Sequence, residues 1–109
     1  MNEKDRALVL ELKNRLPADL KAHLKNLIVF GSRVTGEAFE YSDLDVVALV
    51  NEKTDDIERR FEDIAYEVMW DHDFNPIISL KVLEESRFND ALNKGYSFYK
   101  NIEAAGVSV

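Results

Sequence analysis

The chain has 109 residues, 46% hydrophobic and 32% charged, with no cysteine and a net charge of −7. That length predicts a single domain over residues 1–109, and the absence of cysteine excludes disulfides and thiolate metal sites. No run of 18 apolar residues occurs and the first residues (Met1 to Arg6) carry no apolar signal region, so a cytoplasmic protein without a membrane segment is expected. The acidic balance argues against direct nucleic-acid binding, because that affinity comes largely from Lys and Arg neutralising phosphates. A nucleotide stays compatible with it if divalent ions screen the phosphates.

Glu3 to Leu16 reads as a helix, with Leu8, Leu12 and Leu16 at i+4 spacing. Pro17 interrupts it and suits the first turn of a second short helix through Lys25. Leu27 to Phe30 is a continuous apolar run stopped by Gly31, which predicts a buried strand. Residues 31–42 are expected to form a turn with a short helical piece. Asp43 to Val50 is the second strand. Thr54 is placed as the N-cap of a helix whose stripe is Ile57, Phe61, Ile64, Ala65, Val68 and Met69, ending near Asp71-His72-Asp73. Pro76 to Leu83 is the third strand, with Ile78, Leu80 and Val82 on one face and Ile77, Ser79 and Lys81 on the other. A final helical region follows from Glu84, broken at Gly95 and ended by Gly106. This order predicts an α/β fold with helices packed on a small sheet.

Chemistry concentrates at two strand ends. Gly31-Ser32 follows the first strand directly: glycine permits a tight turn and close approach to a ligand, and a helix starting there offers free N–H groups to an anion. Ser32 adds a hydroxyl, and Arg33 a planar fork suited to phosphate oxygens. Asp43-Leu44-Asp45 opens the second strand, so the two carboxylates share one face with backbones about 6.6 Å apart. Such hard oxygen ligands suit Mg²⁺ or Mn²⁺ and can converge on ions placed for phosphoryl transfer. Either piece alone is ordinary, a turn or a solvated strand edge.

Together, Gly31-Ser32-Arg33-Val34-Thr35-Gly36 and Ser42-Asp43-Leu44-Asp45-Val46 resemble the nucleotidyltransferase superfamily related to the polymerase β palm. In particular they look like its smallest branch, the minimal nucleotidyltransferases (MNT). The resemblance covers essentially the whole chain and implies a small mixed sheet of three to four strands packed with helices. It implies that Gly31 and Ser32 hold the β- and γ-phosphates of ATP and that Asp43 and Asp45 are the catalytic, metal-carrying pair. Ser42 and Arg33 would assist the phosphates or fix the loop. Members of this branch are similar to antitoxins paired with a HEPN-domain ribonuclease toxin, which implies transfer of AMP to a tyrosine of that partner.

One departure stands out. The family carries a third carboxylate on a later strand, whereas Asn75 to Val82 contains no acid; Ser79 or Lys81 occupies the position, with Asp73 before it and Glu84 after it. This favours, as an alternative, a module that neutralises its partner by contact alone. A small-molecule nucleotidyltransferase, completed by dimerisation, is a third reading. The remaining striking side chains have plainer explanations: His72 at a solvent-reaching helix end, His23 on a polar helix, Met69 and Trp70 as core or interface. Tyr96, Phe98 and Tyr99 are read as packing the domain or facing a partner.

Overall fold

The computed structural model describes residues 1–36 and 42–109. Its elements run α1 (Glu3–Arg15), α2 (Ala18–Lys21), β1 (Leu24–Phe30), α3 (Ser32–Thr35), β2 (Leu44–Val50), α4 (Asp55–Asp71), β3 (Ile78–Glu84), α5 (Glu85–Asn93), α6 (Ser97–Ala105) and β4 (Val107–Ser108). The strands form one mixed sheet in the order β3-β2-β1-β4. β1 pairs antiparallel with β2 and β4, while β2 and β3 are parallel and are joined through α4. Among the described residues no helix is long and apolar enough to cross a membrane.

The period-2 alternation of the strands sends side chains to two separate cores. Leu27, Val29, Leu44, Val46, Ala48, Val50, Ile78 and Val82 pack with the apolar stripes of α1 and α4. On the other face Ile28, Val47 and Leu49 pack with Phe88 and Ile102, from α5 and α6. A strand covered on both sides needs apolar residues at every position. β2 meets that demand everywhere except Asp45, which is only partly buried.

Helix boundaries follow local chemistry. Asn2 caps α1 by accepting from Asp5 N–H at 2.8 Å, and Thr54 caps α4 by accepting from Ile57 N–H at 3.1 Å. Gly106 ends α6, as expected, and the chain then adds two residues to the edge of β1. Several expected boundaries need correction. The second strand begins at Leu44 rather than Asp43, and the third runs Ile78–Glu84 rather than Pro76 to Leu83, with Glu84 in the strand and not in the helix. The second helix stops at Lys21 rather than Lys25, and β1 begins at Leu24, three residues early. Pairing with β2 sets that boundary: Leu24 lies opposite Val50 and Asn26 opposite Leu49, across an irregularity that the polar Lys25 and Asn26 disguise. His23 consequently sits in the turn before β1, its Nδ1 2.8 Å from Asn51 Oδ1, and not on a helix. The helical piece expected within residues 31–42 is seen as α3, and residues 37–41 lie outside the described part.

Candidate functional site

β1 ends at Phe30, whose Cα partner across the antiparallel ladder is Asp45; on the other side Asp45 pairs with Ser79 of β3. Phe30, Asp45 and Ser79 therefore form one row across the sheet, on the face that carries the second core. One row further along, Val47 is completely buried beneath α5 and α6, so the floor of the site is apolar and the carboxylate stands at its margin. Phe98, at the start of α6, stacks edge-on against Phe30 with centroids 5.9 Å apart and forms a wall at the β1 side.

The chain leaves this row through Gly31, with φ 82° and ψ −161°. Those angles belong to a region that side-chain-bearing residues avoid, so glycine is required by the backbone alone. It is required a second time by space: a Cβ on Gly31 would come within 2.5 Å of Asp45 Oδ2. The turn thus lies directly against the carboxylate. α3 starts at once, and its first internal bonds run from the amides of Val34 and Thr35 to the Gly31 carbonyl, 3.0 and 3.3 Å. The Ser32 and Arg33 amides precede them and have no partner within their own turn.

Arg33 is placed differently from a phosphate-binding fork. Its Nε and Nη2 donate to Asp5 Oδ2 and Oδ1 at 2.9 and 3.0 Å, and its Nη1 donates to the Ser42 carbonyl at 2.9 Å. Asp5 is 1% exposed, the one charged residue among the buried side chains described. The bidentate pair therefore ties α1, α3 and the approach to β2 together, which is the loop-fixing role rather than the phosphate-assisting one. The hydrogen bond to Asp5, ahead of the cost of burial, raises the Arg33 pKa further. Asp5 itself is a supporting residue that sequence reasoning missed: an acid in the first turn of a helix is ordinary dipole chemistry and gives no sign of burial.

Asp43 lies just ahead of β2, which was expected to include it, and is close enough to Asp45 within the strand for their charges to interact. Burial, and next the charge of Asp43, push the Asp45 carboxyl above its ordinary value, while Lys81 pulls it back. A pair of carboxylates held in this unfavourable state is relieved by a cation, so the donors present fit a hard divalent ion. Among the described residues no third His, Cys, Asp or Glu joins them to complete a metal cluster. The position beside Asp45 is taken by Ser79, and Lys81 lies two residues further along the same face. Neither neighbouring acid substitutes. Glu84 pairs with Val50 at the opposite end of the strand, about 17 Å from Ser79 at strand rise, and there accepts from Lys53 N–H and Ser86. Asp73 sits in the left-handed turn after α4, the helix packed on the opposite face of the sheet.

Comparison with known proteins gives two results. A family model described as nucleotidyltransferase domain matches residues 9–102, which include both strand ends and the whole described site except Asp5. Among solved structures, a chain from a crystal structure described as a toxin-antitoxin with AMP-PNP superposes with a TM-score of 0.56 and 17% identity. The match covers 95% of this chain and 70% of that one, and at this identity the likeness is one of fold. No curated protein matches.

Proposed function

The chain belongs to the nucleotidyltransferase domain family, and on that premise we propose that it transfers AMP from ATP to a hydroxyl, with a tyrosine of a partner HEPN ribonuclease toxin as acceptor and antitoxin action as the result. The observation that carries the reading is the contact between the Gly31 turn and Asp45: the backbone that would cradle phosphates and the carboxylate that would hold the metal are adjacent. The structural neighbour adds support, since it is a toxin-antitoxin assembly holding AMP-PNP, an analogue of ATP.

In this reading Asp43 and Asp45 hold Mg²⁺ or Mn²⁺, which would neutralise the triphosphate and polarise its α-phosphoryl group. Gly31 and Ser32 hold the β- and γ-phosphates through backbone amides and the Ser32 hydroxyl. Arg33 and Ser42 keep the turn in place. The acceptor oxygen bonds to the α-phosphorus, the bond to the β-phosphate oxygen breaks, and pyrophosphate leaves. The acceptor hydroxyl gives up its proton to water as the new bond forms, while both carboxylates would stay on the ion.

A second reading is favoured by one observation, the serine standing beside Asp45 where a third carboxylate would act. Here the fold neutralises its partner by contact and catalysis is vestigial. Intact-mass spectrometry of the product of the adjacent gene, after incubation with this protein, Mg²⁺ and ATP, separates the two. Transfer predicts an AMP adduct that disappears with Asp43→Asn/Asp45→Asn. A stable, silencing complex without adduct, unaffected by those substitutions, establishes contact neutralisation.

A further inference from the structure

One end of α4 presents an apolar surface that neither core uses. Tyr66, Trp70 and Phe74 are 54%, 65% and 36% exposed, and none belongs to either core cluster. Each ring touches the other two, with centroids 6.4 Å (Tyr66–Trp70), 5.4 Å (Tyr66–Phe74) and 6.1 Å (Trp70–Phe74) apart. At 150–250 Å² per aromatic side chain, the exposed area is on the order of 300 Å², comparable with the largest apolar patch of an ordinary monomer. Tryptophan and tyrosine are also the side chains that anchor protein interfaces, where a few residues carry most of the affinity.

The patch reaches toward the candidate site. After α4 the chain folds back, with Phe74 N–H donating to the Met69 carbonyl at 2.8 Å. Three residues on, the carbonyl of Ile77 accepts from Leu44 N–H at 2.8 Å, immediately beside Asp43. Ile77 is itself 51% exposed. Phe74 and Asp43 are thus separated by a span of about 10 Å of chain, filled by Asn75, Pro76 and Ile77.

We propose that the Tyr66–Trp70–Phe74 face is the docking surface for the protein that carries the acceptor hydroxyl, and that this protein offers an apolar pocket rimmed with lysine and arginine. The proposal rests on the reading above that the acceptor is a protein. Charge selects the occupant. Residues 61–80 contain five acids (Glu62, Asp63, Glu67, Asp71 and Asp73), all exposed, and no lysine or arginine. Arg15, which borders Tyr66 and Trp70, is held by Glu11 and Asp71 at 2.6 and 2.7 Å. A second copy would set this acidic rim against itself, and a nucleic acid would bring phosphates to it; a basic rim is attracted, and its arginines can stack on Trp70. At roughly 800 Å² per partner for a standard interface, the three rings form its anchor and the edge near Ile77 the remainder.

Trp70 is the chain's one tryptophan, so its emission and acrylamide quenching report directly on this face. Affinity for the product of the adjacent gene is measured by calorimetry at low and moderate salt, for the wild type, Trp70→Ala and Glu67→Lys. Mg·ATP binding and circular dichroism serve as controls. The expected result is a loss of about thirtyfold for Trp70→Ala, the scale of an anchor residue. Glu67→Lys should weaken binding and flatten its salt dependence, and Mg·ATP binding should stay unchanged in both. Equal affinity of Trp70→Ala and wild type overturns the proposal. So does the absence of any complex, or self-association that Trp70→Ala abolishes. A complex lost in Trp70→Ala without AMP transfer by the wild type sinks the transfer reading and leaves the surface standing. Equal AMP transfer by both proteins does the reverse.

Discussion

Replacing Gly31 with alanine separates two demands that the turn places on one residue. The backbone sits at φ 82° and ψ −161°, where a residue with a side chain pays on the order of 1–3 kcal/mol. For 109 residues at about 2.1 cal/mol/K each, 1 kcal/mol corresponds to about 4 °C, so the melting temperature should fall by roughly 4–13 °C. The new methyl would also stand 2.5 Å from Asp45 Oδ2. That oxygen ends a short, rotatable side chain, so the overlap is relieved by turning the carboxylate away at small cost. Stability therefore reports the backbone, and ligand binding reports the carboxylate. Scanning calorimetry and titration with Mg²⁺ and a non-hydrolysable ATP analogue measure the two. The drop in melting temperature should persist in full when Gly31→Ala is placed in an Asp45→Ala background. If it vanishes there, steric overlap and not backbone strain is the cause; if Gly31→Ala binds the analogue like the wild type, the turn is not part of the site.

Three further outcomes follow from the same geometry. Arg33→Ala leaves the carboxylate of Asp5 buried without its cation and should cost about 3 kcal/mol or more in urea unfolding; a loss below about 1 kcal/mol would show that the pair is not the clasp inferred here. The Asp45 carboxyl is raised above its ordinary 3.8, so its contribution to stability is fully present below that value and is lost as pH rises through the higher folded value. Asp45→Asn should accordingly raise the melting temperature at pH 7, with the gain fading as pH falls toward 3.8, and an unchanged or lower melting temperature at pH 7 contradicts the burial argument. Ser79→Asp places a third carboxylate beside Asp45 and should tighten Mn²⁺ binding in calorimetry while destabilising the metal-free protein; unaltered Mn²⁺ affinity would mean that Ser79 does not face the pair.

Much of this arrangement was legible because the relevant signals are local. Leu44, Val46, Ala48 and Val50 alternate with Asp45, Val47 and Leu49, so period 2 alone placed Asp45 opposite the main core. Thr54, Gly95 and Gly106 marked helix ends through capping and breaking chemistry that acts within a few residues. What stayed hidden depends on partners distant in sequence. Lys25 and Asn26 look like a helix end or a loop until β2 pairs with Leu24 and Asn26 on either side of the irregularity at Lys25. The two residues of β4 are too short to carry a pattern and exist because β1 has an open edge. Arg33 looked equally suited to phosphate or to the loop; only the position of Asp5, 28 residues earlier, decides between them. Trp70 sits four residues after Tyr66 on an amphipathic helix, and spacing cannot tell a ring that enters the core from one that leaves it.

The fate of Arg33 changes the electrostatics required for function. A triphosphate brought to this turn would meet Asp43 and the partly buried Asp45, and Asp45 is already raised by its burial and then by the charge of Asp43. The guanidinium nearest in sequence is committed to Asp5 and Ser42, and withdrawing it would abandon a buried carboxylate. Lys81 is the cation acting on Asp45, but it also lies beyond Ser79 on the exposed side of β3. One exposed ammonium offsets a small part of the charge on two carboxylates and a triphosphate at physiological ionic strength. On the proposed reading, the missing positive charge would arrive with the nucleotide, as a divalent ion. The proposal thereby gives the observed adjacency of Gly31 and Asp45 a purpose: an ion held by the carboxylates would make the turn usable by a phosphate, even in an acidic chain.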